Sequence, residues 1–152
     1  MAWASLIGNA CGEDAMGDVT EITSVRLTFN QEERFALFEE NVVVIDPALR
    51  LTTDRLTVYF DEHNEARLIE AVGQVVIEQE DTKAWAGKAT YDLLSGKLFL
   101  EDQPRIKRNR DLLEGDTITF WRDDNKLICE PQARLVLYPE QGDTRDRMLF
   151  GE

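Results

Sequence analysis

The chain repeats itself, and that narrows its possible folds more than anything in its composition. Four segments set a threonine inside a strand-like pattern: Val25-Arg-Leu-Thr28-Phe, Asp54-Arg-Leu-Thr57-Val-Tyr-Phe, Gly87-Lys-Ala-Thr90-Tyr and Asp116-Thr-Ile-Thr119-Phe-Trp. A second marker follows each one, at Asn41, Gln74, Gln103 and Gln132. Threonine and second marker are 13 residues apart in three units and 17 in the unit of Thr57, and the step to the next threonine is 16 every time. A four-residue insertion near Asp61–Arg67, a polar stretch suited to a hairpin tip, accounts for the irregularity. Loop tips absorb insertions because their exposed backbone has little pairing to lose.

Each unit reads as strand, turn, strand. Leu56-Thr-Val58-Tyr-Phe60 and Ile118-Thr-Phe120 alternate with period two, the mark of a half-buried strand. Turn chemistry separates the halves at Asn30–Arg34, Asp92–Gly96 and Arg122–Lys126, and polar links at Asp46-Pro47, Gln79–Lys83 and Asn109–Asp111 join the units. A helical period fits none of these stretches. Units of this size cannot close a core alone and must stack on their neighbours. The expected fold is therefore all-β, an elongated and curved antiparallel structure of about four repeated hairpins, either a jellyroll-like tube or a β-solenoid. The repeat sets a domain at residues 20–139, with flexible tails expected at 1–19 and 140–152.

One parity argument runs through all four units. Leu27 and Phe29, Leu56 and Val58, Ala89 and Tyr91, Ile118 and Phe120 fall on one strand face. On the returning strands Ala36, Ile69, Leu98 and Leu127 correspond, as do Phe38, Ala71, Leu100 and Cys129; further along, Val44, Ile77, Ile106 and Leu135 line up. With Phe60, these form an expected apolar interior, while the opposite parity holds mostly Thr, Arg, Lys and Glu. A stripe of this kind either packs on itself or lines a groove that accepts hydrocarbon, and both readings use the same residues. Cys129, in an Ala/Leu/Phe slot, reads as a small core hydrophobe.

The remaining features mainly exclude functions. A net charge of −13 repels phosphate backbones, so nucleic acid is not an expected partner. No run of 18 apolar residues exists to span a membrane as a helix, and the opening Met1–Gly8 lacks the basic start and the length of a signal peptide. An exported protein would therefore have its native leader outside this sequence. Cys11 and Cys129 are too few for a disulfide framework and lack metal-ligand spacing, and His63 sits among turn formers. There is no GxSxG, Walker, CxxC or zinc pattern, so neither an enzyme nor a cofactor is expected. Arg105, Lys107 and Arg108, continued by Arg110, form the dense basic cluster of an acidic chain. It reads either as a solvated strand end or as a contact for phosphates on a lipid head group.

Phe38-Glu-Glu-Asn41-Val-Val-Val followed by Leu51-Thr-Thr-Asp54-Arg-Leu-Thr-Val-Tyr-Phe60 resembles the paired strands of the LptA/OstA family. Ala71-Val-Gly73-Gln74-Val-Val-Ile is a second copy, and Leu113-Glu-Gly115-Asp116-Thr-Ile-Thr-Phe matches that family's Gly-Asp unit. The likeness covers roughly Thr20 to Pro139. Two departures are Glu40, where the family has glycine, and Asp102-Gln103-Pro104 in place of a glycine–asparagine turn. The resemblance implies a twisted β-jellyroll of the periplasm whose hydrophobic interior shields the acyl chains of lipopolysaccharide or a related lipid. It also implies partners of the same shape, LptC-like and LptD-like jellyroll domains, and head-to-tail self-association. Shielding ten methylenes at about 0.8 kcal/mol each would contribute roughly 8 kcal/mol before the costs of binding, compatible with hand-over. Open sheet edges, expected at Ile22–Phe29 and Arg134–Tyr138, would carry the joining. The alternatives are a structural or adhesive β-repeat that binds protein or polysaccharide without lipid, and a periplasmic part of a membrane-anchored partner.

Overall fold

The computed structural model describes residues 19–139; of the tails expected at 1–19 and 140–152, all but Val19 lies outside them, as does Cys11. Twelve strands follow one another: β1 (Glu21–Thr23), β2 (Arg26–Asn30), β3 (Phe35–Ile45), β4 (Arg50–Phe60), β5 (Ala66–Gln79), β6 (Thr82–Asp92), β7 (Lys97–Glu101), β8 (Arg105–Arg108), β9 (Asp111–Glu114), β10 (Thr117–Trp121), β11 (Lys126–Glu130) and β12 (Arg134–Val136). All pairing is antiparallel, in one open, twisted sheet. The sheet folds over itself along a line of corners that interrupts the long strands. One half-sheet runs β2, the first part of β3, the second part of β4, the first part of β5, the second part of β6, then β7, β10 and β11. The other runs β1, the remaining parts of β3 to β6, then β8, β9 and β12.

The second markers of the repeat are these corners. Asn41, Gln74, Gln103 and Gln132 have φ of 54°, 45°, 60° and 59°. In three units the preceding residue is left-handed too: Glu40 at 70°, Gly73 at 96° and Asp102 at 72°. Two such residues opposite a single residue of the neighbouring strand make a bulge, and a bulge bends and twists its strand. The register shifts accordingly at Glu39/Val42 and Val72/Val75. Left-handed geometry costs a side-chain-bearing residue roughly 1–2 kcal/mol, so the Glu40 and Asp102 departures are tolerated at a measurable cost.

Tight packing across the corner line explains where glycine sits. A Cβ on Gly73 would approach Asp54 Oδ2 to 2.5 Å, and one on Gly87 would collide with the Asp102 side chain. The glycine and the aspartate have exchanged strands between these two units: aspartate is on the single-residue side at Asp54 and on the two-residue side at Asp102. Asp102-Gln103 is thus a working corner, matched by Gly87 on the strand opposite, whose N–H donates to Asp102 O at 3.0 Å. Thr53 ties the second corner, its buried hydroxyl lying 3.1 and 3.0 Å from the carbonyls of Val72 and Gly73.

The first markers, Thr28, Thr57, Thr90 and Thr119, form a row on the outer face of the first half-sheet, alternating with Leu37, Glu70, Phe99 and Ile128. That face is less polar than expected. Phe35, Tyr59, Leu68 and Trp121 occupy a neighbouring row and are half-buried. Aromatic and long apolar side chains lie flat over their cross-strand neighbours, so a solvated face can carry them. The strands at both expected edges are edge strands, and the structure adds one. Ile22–Phe29 is two strands divided by a corner, and at the other end β11 joins β12 as a terminal strand, one closing each half-sheet.

Candidate functional site

Strand pairing arranges the inward side chains in three ribs, each crossing a half-sheet from first strand to last. Leu27, Phe38, Leu56, Ala71, Ala89, Leu100, Ile118 and Cys129 are successive cross-strand partners. Phe29, Ala36, Val58, Ile69, Tyr91, Leu98, Phe120 and Leu127 form the second rib by the same pairings. The opposite half-sheet supplies Ile22, Val44, Leu51, Ile77, Ala84, Ile106, Leu113 and Leu135. Apart from the Tyr91 hydroxyl and the Cys129 thiol, every one of these side chains is hydrocarbon.

Half of the third rib escaped the parity argument. Strands bearing a two-residue corner keep their inward parity across it, as Ala71 and Ile77 do; strands bearing a single-residue corner invert, as Leu56 and Leu51 do. Ile22, Leu51, Ala84 and Leu113 lie on the inverting side. A signal for them was present, since each stands six residues before its unit's threonine and all are apolar.

The residues expected to form an apolar interior divide by position. Leu56, Val58, Phe60, Ile69, Leu100 and Ile118 are buried, Phe38 and Leu98 pack against them half-buried, and Phe120 is half-buried in the lining described below. Leu27, Phe29, Leu127 and Leu135 do not sit in an interior: they are 57, 58, 41 and 60% exposed. They share the inward parity but lie on β2, β11 and β12, where no further strand among the described residues covers them. Phe29 rests edge-on against Phe60 at 5.9 Å between ring centroids.

Between the half-sheets, over strands β4 to β7 and β10, the ribs do not meet fully. A cleft of about 370 Å³ remains, lined by Leu51, Ile77, Ile69, Ala71, Ala89, Tyr91, Leu98 and Phe120, with Leu49, Gln79, Arg122 and Asn125 also in its lining. Ala71 and Ala89, small residues in the middle of a rib, leave the room. Arg122 Nη1 donates to Tyr91 Oη at 2.7 Å and Nε donates to Asp123 Oδ1 at 3.2 Å. Burial raises the Tyr91 phenol above its ordinary pKa against the pull of Arg122, so it is a neutral hydroxyl at physiological pH. The bond to Asp123, together with Tyr91, raises the Arg122 pKa in turn.

The basic cluster is not one site. Arg105 and Lys107 point to the outer face of the second half-sheet, where Arg105 lies 4.6 Å from the Trp85 ring centroid and Lys83 5.3 Å. Arg108 has the parity of Ile106 and joins Leu113, Leu135 and Leu137 around a separate hollow at the β12 end. Alternation along one strand sends consecutive residues to opposite faces, so a run of basic residues in a strand cannot converge. Cys129 closes its rib at the corner of Gly115, where an added Cβ would collide with its sulfur, and its thiol lies 3.3 Å from Glu114 O. Burial raises its pKa, with Asp116 adding to the shift.

Among the described residues no group of three or more His, Cys, Asp or Glu is placed to hold a metal ion, and no helix is long and apolar enough to cross a membrane. No curated protein is matched by the sequence. Among solved structures the fold is similar to that of LptH from Pseudomonas aeruginosa, described as the LptA homologous periplasmic component of the conserved lipopolysaccharide transport device. That likeness has a TM-score of 0.71 at 18% identity and covers 80% of this chain and 96% of the other. Residues 21–126, a span that holds three of the four corners and most of each rib, match the family model of the LptA/(LptD N-terminal domain) LPS transport proteins, and the chain belongs to this family.

Proposed function

We propose that this chain is a non-enzymatic periplasmic carrier that shields the acyl chains of lipopolysaccharide, or of a related lipid, between its two half-sheets. The observation that carries the reading is the continuity of the three ribs, which run apolar from β1 and β2 to β11 and β12 around a cleft that their own side chains leave open. Hydrocarbon entering it gains from leaving water without any partner group having to react. The exposed rib ends fit a second role. Leu27 and Phe29 at one end, Leu127 and Leu135 at the other, stand beside strand edges that no other described strand pairs, a combination suited to extending the sheet by another jellyroll. On this reading the partners are LptC-like and LptD-like domains or a further copy of the chain, joined head to tail.

The test is lipid binding by the purified chain. A lipid A-type ligand should raise the midpoint of thermal unfolding, and Ile77→Trp, which fills the cleft from the second half-sheet, should abolish that rise while the unliganded variant still unfolds cooperatively. A ligand that leaves both the unfolding midpoint and the tryptophan fluorescence unchanged overturns the proposal. The outcome would then favour a β-repeat module that binds protein or polysaccharide. That reading has its own observation, the outer hollow of about 510 Å³ beside Phe35, Leu37 and Tyr59.

A further inference from the structure

The cleft lining is apolar except at a few places, and its polar members are chemically selective. In a chain with 30 acidic residues, no carboxylate lines the cleft; the polar lining consists of Gln79, Asn125, the Tyr91 hydroxyl and one cation, Arg122. We propose that Arg122 selects the ligand, and that what it selects is an acyl chain bearing a phosphate group at its head. This rests on the reading of the cleft as an acyl-chain site and adds to it the chemistry of the other end of the ligand.

Arg122 is held in place before any ligand arrives. Its backbone N–H donates to Gly96 O at 2.9 Å, Nη1 to Tyr91 Oη at 2.7 Å and Nε to Asp123 Oδ1 at 3.2 Å. The guanidinium also lies against the backbone of Gly96, where an added Cβ would stand 3.0 Å from Nη2. Gly96 has φ +72°, so the turn favours glycine, and the missing side chain leaves the surface on which the planar group rests. A guanidinium has five N–H donors, and these side-chain bonds use two of them. A fork held in this way forfeits little rotamer freedom when it binds an oxyanion.

Charge decides between anions. Asp123 already places one carboxylate on Nε, so a ligand carboxylate competes on equal terms, whereas a phosphate monoester carries about −1.5 to −2 at neutral pH and offers three acceptor oxygens. The surrounding net charge of −13 opposes any anion approaching elsewhere, which makes one cation in an acid-free lining the favoured landing point. Arg105 and Lys107 do not share this role, because they face outward from the other half-sheet.

The experiment titrates the full chain with dodecyl phosphate and with dodecyl maltoside, each below its micelle concentration, and with inorganic phosphate alone. The wild type should prefer dodecyl phosphate by about tenfold, the scale of one charge-assisted contact at a partly exposed site. R122Q should erase the preference, so that the two alkyl probes bind with affinities that no longer differ tenfold. D123N, which removes the competing carboxylate, should tighten dodecyl phosphate binding, a gain that a misfolded variant cannot produce. Inorganic phosphate should not bind measurably without a chain. Equal binding of the two alkyl probes by wild type and R122Q overturns the selection and leaves the acyl-chain reading standing. Inorganic phosphate binding as tightly as dodecyl phosphate also overturns it, by showing a free-phosphate site. Binding of neither alkyl probe to the wild type overturns both readings.

Discussion

The middle and the ends of the ribs are made of the same kinds of side chain and behave differently. Leu56 and Leu27 belong to one rib, two strands apart, yet Leu56 is wholly buried and Leu27 is more than half exposed. At the other end Ile118, in that rib, is buried, while Leu127, which ends the second rib, is 41% exposed. Burial here is set by the number of strands on either side and by the facing half-sheet. Residue type is uniform. A repeat that stacks in one dimension must stop somewhere, and where it stops it exposes the same apolar stripe that forms its core. The middle is therefore a stability element, and the ends are exposed apolar surfaces.

The sharpest way to break this comparison is truncation at both places. Leu56→Ala should destabilise by about 3–4 kcal/mol, the cost of a large-to-small change in a packed core, and Leu27→Ala by less than about 1 kcal/mol. Urea unfolding measures both, and equal losses would refute the distinction. A smaller effect is expected at the corners, which separate the two halves of each rib. Gly87→Ala should cost about 2 kcal/mol because its Cβ meets Asp102, and adding Asp102→Gly should restore most of the loss. A double variant no more stable than Gly87→Ala would show that the two strands are not coupled there. At the ends, Leu127→Asp should change monomer stability by no more than about 0.5 kcal/mol. On the proposed head-to-tail joining, it should lower the weight-average mass read by sedimentation at matched concentration.

The smallest expected effect is at Cys129, which stands between the two regimes, on the last strand of its half-sheet but against a corner. Burial raises its pKa in the folded state, so in a Cys11→Ser background its alkylation at pH 8 should be slower than that of a free cysteine, and should accelerate as pH climbs. The sign for stability follows from the same shift. Below the unfolded thiol pKa both states are protonated and pH has no effect. Above it the unfolded thiol ionises first, so stability falls slightly until the folded pKa is passed. Alkylation as fast as in the urea-unfolded chain would place Cys129 with the exposed ends.

Much of the fold was legible because the repeat supplies four readings of each position. The threonine row, the hairpin tips, two of the ribs and half of the third, and the insertion at the β4–β5 turn all follow from spacing and period-two alternation alone. These are local properties: a strand turns successive side chains to opposite faces whatever its neighbours do. The family resemblance was legible for the same reason, since it rests on segments within single units. What the sequence concealed needed strands to meet. The inversion of parity at Asp54, Gly87 and Asp116 depends on two residues being opposed to one across a corner. The exposure of Leu27 and Leu135 depends on which strands come last in each half-sheet. The divergence of Arg105 from Arg108 follows from β8 lying extended, and the meeting of Arg122 with Tyr91 across β7 joins residues 31 positions apart. Sequence determined which side chains are greasy and at what interval; only the folded sheet decided which of them are covered, because cover comes from neighbours that are distant along the chain.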